Sequence, residues 1–280
     1  MPLVGRSEGT RVKRAPTLRH VMPHVMPTRS GSVVYFDQQL DLTRTQGYIA
    51  ERNAGHDDKA INLFQIILCA VVRAIGQRPQ LNRFVVGRRL YQRNHIELSF
   101  AVKKEMSDEG GLTTVKVRFE PADTLEIVGR RVREAVAVGR GREHTPTEKE
   151  MSFVTRLPRF LVRFLVWAQG VLDYFNLLPA AVIRNDPLHA SVFLANLGSV
   201  GLEAAYHHLY DYGTVPLFAT IGRIHKAPVV DEAGALAIRE VVTVRYSYDE
   251  RIADGFYAAR SLELLKTFVE APAQLEMPPA

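Results

Sequence analysis

A short charged motif near the C-terminus contains residues that are well suited to proton transfer. Asp249, Glu250, Arg251, Asp254 and Gly255 follow directly after a β-rich run. A carboxylate whose pKa is raised by burial can act as a general base near neutral pH, so Glu250 is a candidate for that role. The alternative interpretation is a charged turn at a strand end, and the residue types alone leave both open.

Two adjacent histidines, His207 and His208, are the other candidate bases, because the ordinary pKa of histidine is about 6.5. Neighbouring residues of a helix or strand point to different faces, so at most one of the two is expected to reach a site. No third ligand follows at a recognisable spacing, and no metal site is predicted. A buried packing role is the alternative for either ring, and surface or packing roles are predicted for His95, His189 and His225.

The composition indicates a soluble globular protein that can bury a core. The chain has 280 residues, of which 46% are hydrophobic, and neither a repeat nor a Gly/Ser-rich linker follows residue 32. Of the net charge of +6, +5 falls in the first thirty residues, where six Lys and Arg oppose Glu8. The nearly neutral remainder has no nucleic-acid motif, so no nucleic-acid partner is predicted.

Cysteine use and the N-terminus predict the compartment. Cys69 is the only cysteine and lies in an apolar run, which favours a buried role and a reducing environment. The basic N-terminal residues are followed by prolines and not by a long apolar run, so no signal peptide is predicted. We therefore expect a cytoplasmic protein, with an organelle transit segment as the alternative.

Apolar periodicity predicts one mixed α/β domain. One helix is expected to run to Ile75 with Asp57 and Asp58 as its cap, and another to begin with Asp123 and Glu126 as capping acids. A third helix is predicted over 256–269. Strands are predicted over 39–43, 96–103, 113–119, 217–221 and 241–248.

The most apolar stretch, residues 153–183, is interrupted by Arg163 and Asp173 and is too short to span a membrane. Arg156, Arg159 and Arg163 recur at helical spacing opposite leucines and phenylalanines, which predicts an amphipathic helix. We favour a cover helix or a subunit contact, and membrane-surface binding is the weaker alternative.

Four motifs, in order, resemble the catalytic domain of the 2-oxo acid dehydrogenase acyltransferases, whose fold is shared with chloramphenicol acetyltransferase. Asp249 to Gly255 stands where that family has D-H-R-x-x-D-G. Asn196-Leu197-Gly198, continuing to residues 221–224, resembles its S/N-L-G and h-G-R-h strands. One further motif is an opening helix with a first strand and a D-h-T turn, at 18–29, 35–36 and 41–43. The other is a helix end with its succeeding strand, at 78–82 and 96–102.

The resemblance implies a chloramphenicol acetyltransferase-like fold, a mixed sheet flanked by helices in a two-layer α/β sandwich. It also implies a homotrimer with active sites between neighbouring subunits, which can assemble into a larger particle. The expected organisation is a basic N-terminal arm, residues 1–28, and an acyltransferase-like domain, residues 29–280. Asp58-Lys59-Ala60 echoes a lipoylation site, but a helix start is favoured there, so no lipoyl site is predicted.

In the family that this chain resembles, an acyl group passes between coenzyme A and a dihydrolipoyl thiol, and histidine is the base. Here Glu250 stands at that position, and its ordinary pKa of about 4.3 makes it a weaker base by about 2 units, or roughly 3 kcal/mol. The family also places a Ser or Thr hydroxyl on the strand before L-G, where it stabilises an oxyanion. Phe193 and Ala195 occupy this stretch, and neither side chain can donate.

The resemblance assigns supporting roles to other residues. Asp254 is expected to be mainly structural and held by Arg19, with Arg29 as the alternative. Arg251 and Gly255 complete the same loop, and Asn196 and Gly198 shape the preceding strand end. These four residues and Arg19 are expected to support the site structurally.

Three functions remain open from the sequence. The first is a coenzyme A-dependent acyltransferase of altered chemistry, with Glu250, His207 or His208 as base. The second is a non-catalytic relative, a trimeric scaffold or acyl-CoA-binding protein. The third is a membrane-surface protein that docks through the helix near Arg156 to Arg163.

Overall fold

The computed structural model describes residues 5–55, 60–105, 107, 110–141, 156–230 and 233–279. The strands in this part of the chain are β1 (Gly9–Arg11), β2 (Val33–Asp41), β3 (Arg83–Val86), β4 (Arg89–Arg93), β5 (Ile96–Lys103), β6 (Leu112–Phe119), β7 (Val192–Asn196), β8 (Leu217–Ile221), β9 (His225–Val230) and β10 (Leu236–Asp249). The α-helices are α1 (Thr17–Val25), α2 (Thr43–Asn53), α3 (Leu63–Gln77), α4 (Leu125–Arg140), α5 (Arg159–Tyr174), α6 (Ala180–Asn185) and α7 (Gly255–Glu270).

The main sheet has seven strands in the order β2-β10-β8-β7-β5-β6, and β9 pairs with the first half of β10. The pairs β5–β7 and β7–β8 are parallel, and the other pairs are antiparallel. Alternating side chains of these strands, such as Leu98 and Phe100, enter the main core. This core lies between one face of the sheet and helices α3, α4 and α7.

Helix α3 lies at the centre of the core, and eleven consecutive residues from Gln65 to Ile75 are buried. Its N-terminus is a capping box in which Asn62 and Gln65 each accept a hydrogen bond from the other's backbone N–H. The predicted cap at Asp57 and Asp58 lies outside the described residues. Cys69 is fully buried in this helix, as predicted, and burial raises the pKa of its thiol to about 12.

Helix α4 begins one residue later than the predicted acidic cap would place it. Thr124 is the N-cap residue and makes no side-chain capping hydrogen bond. The Asp123 carboxylate instead accepts from the backbone N–H of Glu120 at 2.7 Å and pairs with Arg131 at 2.7 Å. The capping prediction was wrong because Asp123 closes the preceding turn and is no longer available to the helix.

A second, three-stranded sheet in the order β1-β4-β3 incorporates part of the predicted N-terminal arm. Strands β3 and β4 form a tight hairpin whose two turn residues, Gly87 and Arg88, have φ of 54° and 59°. Two successive positive φ values are the signature of a type I′ turn, which matches the twist of the flanking strands. Strand β1 then pairs with β4 in antiparallel register, Gly9 opposite Arg93.

A buried ionic network joins this small sheet to the rest of the molecule. Glu8 contacts the guanidinium groups of Arg6 and Arg93, and its carboxylate lies 3.4 Å from His189 Nδ1 and 3.2 Å from Thr214 Oγ1. Burial alone would raise the pKa of Glu8, but Arg93, the hydrogen bond with His189 and Arg6 outweigh it and hold that pKa well below its ordinary value. The segment that carries Glu8 is therefore anchored inside the fold.

Of the two roles predicted for helix α5, its exposed apolar face contradicts a cover helix, and a subunit contact stays a prediction. None of its residues is buried, and the side chains of Phe160 and Trp167 are 70% and 63% exposed. The helix is attached through its polar side, where Gln169 donates to the Tyr212 hydroxyl and Asp173 pairs with Arg6 at 2.8 Å. In the described ranges, no helix combines the length and apolarity needed to span a membrane.

Candidate functional site

The end of strand β10 is fixed by a buried cluster of opposite charges. Asp249 is fully buried, and its two oxygens accept from Nε and Nη2 of Arg251, each at 2.8 Å. Ser32 donates its hydroxyl to the same carboxylate at 3.1 Å, and Arg29 Nε lies 3.9 Å from it. Burial lowers the pKa of Arg29 to about 10. From the sequence, Asp249 was part of the family motif or of a charged turn at a strand end; in the structure it is a buried counter-ion of Arg251.

Glu250 and Asp254 lie on the short loop between β10 and α7. The Glu250 backbone is held on both sides, since its N–H donates to Ser32 O at 3.0 Å and its carbonyl accepts from Arg19. Asp254 is the N-cap residue of α7, accepts from the Tyr257 N–H at 2.8 Å, and lies 3.6 Å from Arg19 Nη2. Arg19, not Arg29, is thus the arginine beside Asp254, and Gly255 is the first residue of the helix.

The two histidines are arranged differently from the prediction. Residues 202–210 form neither helix nor strand, and the rings of His207 and His208 stack on each other with centroids 4.6 Å apart. The expectation that they point to different faces was therefore wrong, because it assumed regular secondary structure. His207 also stacks on Phe218 at 3.9 Å, whereas His208 is exposed.

The contacts of His207 define which ring nitrogen can accept a proton. Its Nδ1 lies 2.7 Å from the carbonyl oxygen of His208, which can only accept, so Nδ1 carries the hydrogen and Nε2 keeps a lone pair. Burial lowers the pKa of His207, against a smaller opposite effect of that hydrogen bond. A lowered pKa favours the neutral ring, which is the form that a general base requires.

The other sequence-predicted residues lie where the parallel strands β7 and β8 end. Asn196 accepts from the Ser199 N–H at 3.2 Å and begins a 3-10 turn, Leu197–Val200. Gly198 packs against the backbone of Gly222, and a Cβ at Gly198 would overlap the Gly222 carbonyl oxygen. The two glycines allow the L-G and G-R segments of neighbouring strands to lie in contact.

In the part of the chain that the structure describes, no free hydroxyl lies at the position expected for the oxyanion donor. Ala195 is half-buried, and Phe193 is stacked on Phe218 with centroids 4.9 Å apart. Thr220, opposite Ala195 on β8, is buried and donates to the Ala205 carbonyl. Ser199 donates to the Asn196 carbonyl at 2.7 Å. Both nearby hydroxyls therefore already have acceptors.

A large open cleft with a volume of about 1110 Å³ adjoins Asn196 and Gly198. One wall is apolar and includes Phe100, Val132 and Val136. The cleft is lined by four cations and by no acid among the described residues; the cations are Lys103, Arg133, Arg140 and Arg223. Arg223 also pairs with the exposed Glu203 at 2.7 Å. A cleft of this kind is complementary to an elongated ligand that carries both phosphates and an apolar part.

The two groups of candidate residues lie at opposite ends of the central strands of the sheet. Strand β8 pairs Leu217 with Tyr248, two positions before Glu250, and pairs Ile221 with Asn196. The four steps along β8 span about 13 Å at about 3.3 Å per residue. Within one chain, Glu250 is therefore far from hydrogen-bond reach of Asn196, whereas the backbone of His207 accepts from Ser247, near the Glu250 end.

Sequence reasoning missed the polar groups that are paired across long distances. Glu8 and Arg93 were not singled out, and His189, for which a surface or packing role was predicted, is buried in their network. No local spacing could have identified them, because their partners come from distant parts of the chain. Across the described ranges, no group of three or more His, Cys, Asp or Glu is arranged to hold a metal ion.

Comparison with solved structures defines the fold class. The chain is similar to chloramphenicol acetyltransferase over 94% of its own length and 98% of that chain, with a TM-score of 0.50 and 12% identity. It is similar to the dihydrolipoamide acetyltransferase of Azotobacter vinelandii, with a TM-score of 0.62, 16% identity, and 94% and 93% of the two chains covered. The predicted chloramphenicol acetyltransferase-like fold is confirmed.

Two further comparisons bear on the family. The structure is similar to the cubic core of the pyruvate dehydrogenase multienzyme complex, with a TM-score of 0.60, 15% identity, and 94% and 93% of the two chains covered. Residues 184–277 match the family model of the 2-oxoacid dehydrogenases acyltransferase (catalytic domain). The match includes Asn196, Gly198 and the motif from Asp249 to Gly255, so the resemblance predicted from these residues is confirmed. Comparison with the curated proteins gives no match.

Proposed function

We propose that the protein is a coenzyme A-dependent acyltransferase with altered catalytic groups, and the observation that carries this proposal is the cleft beside Asn196, whose charged lining residues in the described part of the chain are all basic. Coenzyme A has phosphates that suit Lys103 and Arg140 and a pantetheine arm that suits the apolar wall. The family match over residues 184–277 supports acyl transfer as the reaction class.

The active site in this proposal is shared between neighbouring subunits. Glu250 and Asn196 lie at opposite ends of the central strands of one sheet, so a site that uses both needs two copies of the chain. The β9–β10 hairpin supplies the contact surface in this proposal, because Val230, Leu236 and Ile238 are each at least two-thirds exposed on it. Similarity to a protein from a cubic core agrees with such an assembly.

Two candidate bases serve this site. Glu250 occupies the histidine position of the family motif, and its backbone is fixed by Ser32 and Arg19. In the Azotobacter vinelandii enzyme, a histidine and an asparagine four positions apart were examined for roles in catalysis, and Glu250 and Asp254 have the same separation. His207 is the second candidate, because its Nε2 lone pair is available.

An oxyanion donor in this proposal has to come from a group other than a hydroxyl of β7. The Oδ1 atom of Asn196 is occupied by the Ser199 N–H, which leaves the amide nitrogen of Asn196 as the donor on the cleft wall. An amide donor at this position would stabilise a developing negative charge, as a hydroxyl does in the family that the chain resembles.

Binding of acetyl-CoA tests the cleft. The double substitution Lys103→Gln with Arg140→Gln should raise the Kd for acetyl-CoA about tenfold, because each partly exposed cation–phosphate contact contributes about 0.5–1 kcal/mol and 1.4 kcal/mol is a factor of ten. Isothermal titration calorimetry measures the change. Arg118→Gln is the matched control, since Arg118 is 52% exposed, lies outside the cleft and pairs with Glu120. Equal Kd values for the double and control variants would exclude this cleft.

The mass of the purified protein tests the shared site. We expect light scattering to give three times the 31.4 kDa of one chain, or a multiple of that trimer. Ile238→Asp should lower the measured mass, because it puts a charge into the exposed apolar surface of the hairpin. Leu112→Asp, at a position 68% exposed on edge strand β6, is the control and should leave the mass unchanged. A monomeric wild-type protein at micromolar concentration would contradict the proposal.

A further inference from the structure

Helix α5 presents its apolar face to solvent, which reverses the usual orientation of an amphipathic helix. Phe160, Phe164 and Trp167 recur at i, i+4 and i+7 and therefore form one stripe; their side chains are 70%, 57% and 63% exposed. Gln169 and Asp173, about half a turn away around the helix axis, attach it to the body. The stripe therefore points away from the protein.

The surface around this stripe is basic. Arg159 and Arg163 are exposed on the helix, between the attached side and the stripe. At the C-terminal end of the helix, Tyr174 borders a cleft of about 460 Å³ that is lined by no acid among the described residues; its basic members are Arg11, Arg19, His20, His24, Arg88 and Arg89. An apolar, aromatic stripe and a basic surface thus lie side by side, as in helices that bind anionic bilayers in the interfacial plane.

We infer that helix α5 docks the protein onto the surface of an anionic lipid bilayer. The helix lies in the interface with its phenylalanines and tryptophan among the acyl chains, while Arg159, Arg163 and the basic cleft contact the lipid phosphates. Light scattering of the variants below distinguishes this docking from a contact of the stripe with a second copy of the chain. In the proposed function, self-association uses the β9–β10 hairpin, which is a different exposed surface.

Trp167 is the only tryptophan of the chain, so its fluorescence reports this helix alone. The full-length protein is mixed with vesicles of phosphatidylcholine, or of phosphatidylcholine with phosphatidylglycerol, and bound protein is separated by flotation. We expect flotation and a blue shift of Trp167 emission with the anionic vesicles, and much weaker effects with the neutral ones. High salt should weaken the binding, because it screens the arginines.

Matched substitutions separate docking from folding and from self-association. Phe164→Asp should abolish flotation and Phe164→Leu should retain it, while Arg159→Gln with Arg163→Gln should lower partitioning by about tenfold or more on anionic vesicles. Leu112→Asp should float like the wild type. The inference is overturned if the wild type does not float, if Phe164→Asp still floats, or if Phe164→Asp changes the mass in light scattering, which would assign the stripe to a second copy. None of these outcomes depends on acyl transfer.

Discussion

Acetyl transfer from acetyl-CoA to dihydrolipoamide should be slow in the wild-type protein and should rise most when Glu250→His and Ala195→Ser are combined. An unperturbed glutamate is a weaker base than histidine by about 2 pKa units, or roughly a hundredfold in rate. A missing oxyanion donor costs about 2.7–4 kcal/mol. Because both groups act on one transition state, each single substitution should recover little activity. The double variant should recover more activity than the two single variants do in sum.

The assay uses purified wild type, both single variants and the double variant under the same conditions. Wild-type turnover near 10 per second, an ordinary enzymatic rate, would contradict the expectation and would mean that the chain already has a competent base. Glu250→Gln and His207→Ala then distinguish the two candidates, since activity falls only when the working base is removed. Binding of acetyl-CoA without turnover in every variant would point to a binding protein of the same fold.

Removal of the buried carboxylate of Glu8 should cause a large loss in the free energy of unfolding. Glu8→Gln keeps the shape of the side chain but leaves the Arg93 guanidinium without its acid, and Arg6 with Asp173 alone. Breaking a buried ion pair from one side costs about 3–5 kcal/mol. Urea unfolding monitored by circular dichroism should therefore show a loss of this size at pH 7. Glu263→Gln, an exposed position on α7, is the control and should change the unfolding free energy little.

The same variant has a characteristic pH dependence. The pKa of Glu8 is lowered by folding, so the folded state binds fewer protons than the unfolded state, in which the pKa is about 4.3. The contribution of Glu8 is present above that value and is lost as the pH falls through the lower pKa of the folded state. The difference in stability between wild type and Glu8→Gln should shrink below about pH 4. A constant difference down to pH 2 would show that the charge of Glu8 is not the cause.

Regular elements with a clear periodicity were predictable from the sequence. The strands predicted over 96–103 and 217–221 have these bounds in the structure, because each is short, β-rich and ended by turn residues or charges. Strand β2 was predicted only from residue 39 by pattern, and the resemblance alone placed residues 35 and 36 in it. The hairpin of β3 and β4 was missed, since its turn, Gly87-Arg88, carries a non-glycine residue at positive φ.

The site was predictable to the extent that it consists of contiguous motifs. Asn196 ends β7, Gly198 lies in the 3-10 turn that follows, Glu250 follows β10 and Asp254 precedes α7, while their roles in a site stay predictions. The stacking of His207 on His208 was not predictable, because the segment that carries them is irregular and periodicity has no meaning there. The buried roles of Asp249 and Glu8 depend on arginines whose positions only the tertiary fold determines.

The Glu8 network also constrains the order in which the chain can fold during synthesis. Glu8 leaves the ribosome long before two of its partners, because His189 and Thr214 are 181 and 206 residues further along the chain. Until those residues emerge, Glu8, Arg6 and Arg93 can form only part of the network, and strand β1 lacks its final anchor. We therefore expect closure of the small sheet onto the body to be a late event, with the segment that carries Glu8 only partly anchored while the central strands are made.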